Sequence, residues 1–101
     1  MVDFDELSET QIVKQIKRYL ERVYPGVWYK IHGGPYQEAG IPDIIGVHDG
    51  RFYAFEVKRP DKKHKVSMAQ KYQIDRLEKS GAIVGVVTSV EDVKLLMNPQ
   101  K

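Results

Sequence analysis

The sequence predicts a single α/β domain in which a helix precedes three strands and a crossover helix leads to a fourth. Three observations carry that expectation. Ile12, Ile16, Tyr19, Leu20 and Val23 recur at helical spacing. Residues 43–59 hold two β-rich runs joined by Asp49-Gly50, a two-residue hairpin signal. Residues 82–88 are an unbroken apolar run after a second capped helix, as in a buried strand reached by a crossover.

Ser8 and Gln11 form a capping box, so the first helix starts at about Glu9. Pro25-Gly26 ends it. Val27 to His32 is rich in β-branched and aromatic residues and reads as the first strand. Gly33-Gly34-Pro35 breaks that strand, and residues 35–41 form a loop. Asp43 to His48 and Arg51 to Arg59 are the second and third strands, the latter stopped by Pro60. The lysine-rich segment to Val66 is a loop. Ser67 and Gln70 make a second capping box, opening a helix that runs to Ser80 and ends at Gly81. Ala82 to Thr88 is the fourth strand. Ser89 caps a last short helix with Val90, Val93, Leu96 and Met97, and Pro99 lies in the tail. The order αβββαβα allows a three-stranded antiparallel meander with the fourth strand parallel to one of them and helices over the sheet. Trp28, Tyr29, Phe52, Tyr53 and Phe55 are expected in core or cross-strand packing.

A chain of 101 residues has room for one core, so residues 1–101 read as one domain. There is no cysteine, which excludes disulfides and thiolate metal sites. His32, His48 and His64 lack zinc spacing, so any metal is expected to be a hard ion held by oxygen. No apolar run nears the ~18 residues of a membrane span. Met1 to Glu9 is acidic and carries no signal-peptide core, so the expected location is the cytoplasm.

Two short strings carry the chemistry: Pro42-Asp43 and Glu56-Val57-Lys58, on strands joined by the hairpin. Residues two apart in a strand share a face, so Glu56 and Lys58 point one way and Val57 the other, into the core. Asp43 opens the partner strand across from them. Two carboxylates together can hold Mg²⁺ or Mn²⁺ through oxygen, with positions left for water and phosphate. The backbone carbonyl of Val57 is a further candidate ligand. Lys58 beside such an ion can position or deprotonate a water, or steady charge on a pentavalent phosphate. Each fragment also has a plain reading, an edge-strand charge for Lys58 and a turn cap for Asp43. Together they favour a phosphodiester-cleaving site.

Glu9 lies on the same helical side as Ile12, Ile16, Leu20 and Val23. It either meets a partner or metal there or simply favours the helix dipole. Gln70 is explained by its capping box, yet it also lies along the stripe of Ile74 and Leu77, from which it could reach a metal-bound water or Lys58. Net charge is only +2, but residues 10–101 hold 16 bases against 10 acids. Arg59, Lys62, Lys63 and Lys65 crowd the segment after Lys58. Alone such a run is a solvated loop; beside a phosphate-cleaving site it fits a clamp for a nucleic-acid backbone. Gly34 and Tyr36, in the loop before Pro42, could meet the same backbone, glycine allowing close approach. A polar turn explains them equally well.

Gly40-Ile41-Pro42-Asp43-Ile44-Ile45-Gly46, Phe55-Glu56-Val57-Lys58 and Ser67-Met68-Ala69-Gln70 resemble the virus-type replication-repair nuclease (VRR-NUC) domain of the PD-(D/E)xK nuclease superfamily, over about residues 8–93. The resemblance implies a restriction-endonuclease-like αβββαβ core, with one extra C-terminal helix, and a metal-dependent nuclease. Its metal-binding acids fall on Asp43 and Glu56 and its catalytic lysine on Lys58. Its first-helix glutamate falls on Glu9 and its glutamine on Gln70. Stand-alone members of phage and bacterial type resemble Holliday junction resolvases that act as homodimers. The expectation is thus a Mg²⁺- or Mn²⁺-dependent endonuclease of branched DNA, four-way junctions above all, working as a homodimer in a bacterial or phage-infected cell. The alternatives are a less selective flap or nicking nuclease and a catalytically silent nucleic-acid-binding module. The intact Asp43, Glu56 and Lys58 argue against the last.

Overall fold

Helix α1 (Glu9–Val23) forms between the two signals that bound it. A computed structural model of the chain describes residues 7–98, so Asp3, Asp5, Glu6 and Pro99 lie outside the described residues. Ser8 Oγ accepts from the Gln11 amide at 3.1 Å and Gln11 Oε1 accepts from the Ser8 amide at 2.8 Å. These bonds serve two of the N–H groups that a helix start leaves without partners. Ile12, Val13, Ile16 and Leu20 form its buried face.

The strands are β1 (Gly26–Lys30), β2 (Ile44–His48), β3 (Arg51–Val57) and β4 (Ile83–Val87). Helix α2 (Met68–Lys79) makes the crossover, and α3 (Val90–Met97) follows β4. The sheet order is β1-β2-β3-β4, antiparallel at the first two junctions and parallel at the third. This is the expected mixed four-stranded α/β sheet with three helices. Asp49 and Gly50 adopt φ of 52° and 75°, the left-handed pair that a tight hairpin needs.

The strands are shorter than the sequence pattern suggests. β1 ends at Lys30 rather than His32, β2 begins at Ile44 rather than Asp43, and β3 stops at Val57 rather than Arg59. The cause at the site end is a side chain. The Val57 amide donates to Asp43 Oδ2, not to a carbonyl of β2, so the ladder gives way there. Residues 60–62 then turn in a short 3-10 helix inside the lysine-rich loop.

Register sorts the two faces. Trp28, Ile44, Tyr53, Phe55, Val57 and Val87 share one face and are buried beneath α1 and α3. Gly46 lies opposite Trp28, and a Cβ there would run into the indole. The other face carries Ile45, Val47, Phe52, Ala54 and Glu56, with α2 packed against β4. Of the two expected settings, Tyr29 takes the cross-strand one, opposite Ile45, and not the core. It is 59 % exposed, because its side of β1 has no helix laid over it. No helix among the described residues is long and apolar enough to cross a membrane.

Candidate active site

Asp43 and Glu56 meet at the end of the β2–β3 hairpin. The Val57 amide donates to Asp43 Oδ2 at 2.7 Å, which fixes that carboxylate beside the last residues of β3. Glu56 is buried, with 3 % of its surface exposed. Gln70 Nε2 donates to Glu56 Oε2 at 3.0 Å, while Gln70 Oε1 accepts from the Ser67 amide at 2.9 Å. One side chain therefore caps α2 and orients Glu56. The cap leaves the amino end of the amide free to face the carboxylate. Lys58 Nζ lies 3.9 Å from Glu56 Oε2, on a mostly buried side chain.

Burial pushes the Glu56 carboxyl up from 4.5 to about 8. The Asp43 charge and a hydrogen bond with Asp43 push the same way, Lys58 opposes them, and Glu9 adds a smaller upward push. Two acids sharing a buried site resist holding two negative charges without a cation between them. Their oxygens, with the Val57 carbonyl next along the chain, make a donor set suited to a hard divalent ion that keeps several waters. Glu9 is half-buried in the first turn of α1. Among the described residues no three His, Cys, Asp or Glu side chains converge as a metal-binding group. Glu9 therefore does not stand beside the pair as a third acid.

The raised Glu56 value has a consequence for stability. The unfolded chain ionises this group near 4.5, whereas the folded chain holds the proton until about 8. Stability from that proton is fully present below the lower value and is lost as pH rises through the upper one. The metal-free protein is expected to melt several degrees lower at about pH 8.5 than at about pH 5. Glu56→Gln should remove most of that difference. An equal slope in the variant, by thermal denaturation, would assign the pH dependence to other groups.

A cleft of about 320 Å³ opens onto Asp43, Glu56 and Gln70, and the loop between β1 and β2 walls it. Gly34 lines this cleft. Tyr36 is fully exposed outside it. Lys62, Lys63 and Lys65 are exposed and also stand outside the cleft, and Arg59 Nε lies 3.2 Å from Asp61 Oδ1.

Three contacts at this wall were not read from the sequence. Gln73 is buried on α2, and its Nε2 donates to the Ala39 carbonyl at 3.3 Å. Arg76 Nη1 pairs with Glu38 Oε1 at 3.1 Å. Gly40 has φ of +83°, and a Cβ there would strike the Ala69 carbonyl and the Gln70 amide. Helix α2 thereby grips residues 38–40 immediately before Asp43. The available signal was Gln73 itself, one turn beyond Gln70 on the same face.

A solved structure described as a VRR-NUC domain superposes on this chain with a TM-score of 0.71 and 28 % sequence identity, covering 91 % of this chain and 97 % of that one. The chain has the VRR-NUC fold. No family model matches the sequence, and no curated protein matches it. The likeness to the VRR-NUC structure runs over nearly the whole of both chains, so it supports a nuclease domain and not a shared fragment.

Proposed function

We propose that the protein is a metal-dependent endodeoxyribonuclease whose centre is Asp43, Glu56 and Lys58. The observation that carries this reading is a buried Glu56, held by Gln70, that lines one cleft with Asp43 and has the Lys58 ammonium 3.9 Å from its Oε2. Asp43, Glu56 and the Val57 carbonyl would hold Mg²⁺ or Mn²⁺. Such an ion, when bound, polarises a phosphoryl oxygen and makes water a stronger nucleophile. The chain's own groups do the rest. Gln70 and the Val57 amide keep the two carboxylates oriented. Lys58 positions or deprotonates the attacking water, or donates to a phosphate oxygen as charge builds there. Glu9 contributes through its charge and, at most, through a bridging water.

The substrate we propose is branched DNA, with four-way junctions first, cut by a homodimer. A two-fold junction needs two opposed cuts, and one site of this kind cuts one strand. Gly34 and Tyr36 in one loop, and Arg59, Lys62, Lys63 and Lys65 in another, would contact the backbone. The test is a panel of four-way junction, flap, single-stranded and linear duplex DNA with Mg²⁺ and Mn²⁺. Preferential cutting of the junction supports the reading. Equal cutting of linear duplex would make it a less selective nuclease, and no cutting of any substrate would sink the enzyme reading.

The basic loop makes a separate expectation. Each phosphate contact contributes about 0.9 to the slope of log affinity against log salt. Replacing Lys62, Lys63 and Lys65 together with alanine should weaken binding and flatten that slope by about 2–3. An unchanged slope in a salt series would remove the loop from the DNA contact.

A further inference from the structure

Among the described residues, cations without a carboxylate partner gather in two places. One is the loop of Lys62, Lys63 and Lys65, and the other is helix α1. Lys17, Arg59, Arg76, Lys79 and Lys94 each have an acid within 3.3 Å. Lys14, Arg18 and Arg22 of α1 have none, and all three are exposed. Lys30, Arg51 and Lys71 are also unpaired, but they stand singly on β1, β3 and α2. The three cations of α1 follow one another at four-residue steps. Ile12, Val13, Ile16 and Leu20 form the buried face, so helical spacing puts the three on the ridge that points straight away from the core. Neutral Gln11 and Gln15 border the ridge on one flank. On the other flank Lys17 answers Glu21 at 2.9 Å. A groove of about 330 Å³ runs between Lys14, Lys17, Arg18 and Glu21.

Like charges four residues apart on a helix repel, so the ridge disfavours its own helix unless an anion lies along it. Its members recur every ~6 Å along the axis, close to the ~6.8 Å between alternate phosphates of one strand along a duplex. A lipid surface does not fit, because a membrane-surface helix inserts an apolar face and α1 buries its own against the sheet. Placement decides which part of a nucleic acid could lie there. Ile44 and Phe55 share the sheet face beneath α1, whereas Asp43 and Glu56 alternate to the opposite face. The sheet and α1 itself therefore stand between the ridge and the cleft. Duplex DNA is stiff over about 150 base pairs, so a duplex lying at the cleft does not fold back onto the ridge. A branched DNA has a further arm that leaves in another direction. We infer that the Lys14-Arg18-Arg22 ridge of α1 binds the backbone of a second duplex arm, and so gives the chain a preference for branched over linear DNA. This rests on the branched-substrate reading above, but its test is binding without metal or cleavage.

Fluorescence anisotropy in EDTA, over a salt series, compares a labelled four-way junction with a linear duplex of one arm's sequence. Replacing Lys14, Arg18 and Arg22 together with alanine should weaken junction binding about tenfold or more and flatten its slope of log affinity against log salt by about 2–3, while duplex binding changes by less than about twofold. The exchange of Lys14→Arg with Arg18→Lys and Arg22→Lys keeps the charge and should bind as the wild type does. Lys79→Ala, which removes a paired cation of α2, should also leave both affinities unchanged. Circular dichroism should be the same for all four proteins. An unchanged junction slope in the alanine variant would overturn the inference. Equal losses on junction and duplex would overturn it too, by placing the ridge on the same duplex as the cleft. A loss in the charge-preserving exchange would make the ridge structural and overturn it as well. A chain that shows the expected ridge dependence but cuts no DNA would overturn the nuclease reading alone.

Discussion

Lys58→Ala is expected to reduce metal-dependent DNA cleavage by about 10²–10⁴-fold while leaving DNA binding largely intact. The Lys58 ammonium sits 3.9 Å from Glu56 on a side chain only 12 % exposed, so no neighbouring solvent-borne lysine can take its place. Asp43→Ala and Glu56→Ala should abolish cleavage as well, each by removing one of two cation-holding carboxylates. Glu56→Gln separates chemistry from folding. It keeps the shape, removes the charge that burial and Asp43 disfavour, and should therefore be inactive yet at least as stable as wild type near pH 8. Single-turnover cleavage with a parallel binding titration checks all four variants. Wild-type turnover by any of them would place the chemistry elsewhere.

Gly40→Ala carries the second large effect, on both stability and activity. A residue with a side chain pays about 1–2 kcal/mol at a left-handed φ such as the +83° of Gly40. Here the added Cβ also meets backbone of α2, the Ala69 carbonyl and the Gln70 amide, which cannot rotate aside. The start of α2 must shift, and with it the Gln70 amide that orients Glu56. Melting should fall by about 10 °C or more, and cleavage should fall even where the protein remains folded. Gly50→Ala is the control. Its φ is +75° with nothing near the new Cβ, so it bears the strain without the collision. If Gly40→Ala melts no lower than Gly50→Ala, the loop is not clamped by α2.

The fold was legible wherever a local signal had no competitor. The two capping boxes and Asp49-Gly50 act over three or four residues, and the structure has α1, α2 and the hairpin where those signals lie. The end of the β2–β3 pairing was not legible, because the Asp43 side chain takes the Val57 amide from across the hairpin, while the Lys58 amide still donates to the Val87 carbonyl of β4. Tyr29 fits a strand pattern equally well buried or exposed. Its environment depends on which helices cover which face, and here α1 and α3 lie on the opposite one. Strand parity does bring Asp43, Glu56 and Lys58 to one end of the sheet. A helical wheel gives the side on which Glu9 lies but not its reach, and Glu9 does not complete a three-acid cluster with the pair. The grip of Gln73 and Arg76 on residues 38–39 joins segments more than thirty residues apart, beyond any local pattern.

The most direct test is cleavage of an end-labelled four-way junction by the wild type and by Lys58→Ala, each in Mg²⁺, Mn²⁺ and EDTA. The expected result is cutting by the wild type with either ion, none in EDTA, and none above background by Lys58→Ala. Undiminished cutting by Lys58→Ala, cutting in EDTA, or a wild type inert with both ions would contradict a metal-dependent centre at Asp43, Glu56 and Lys58.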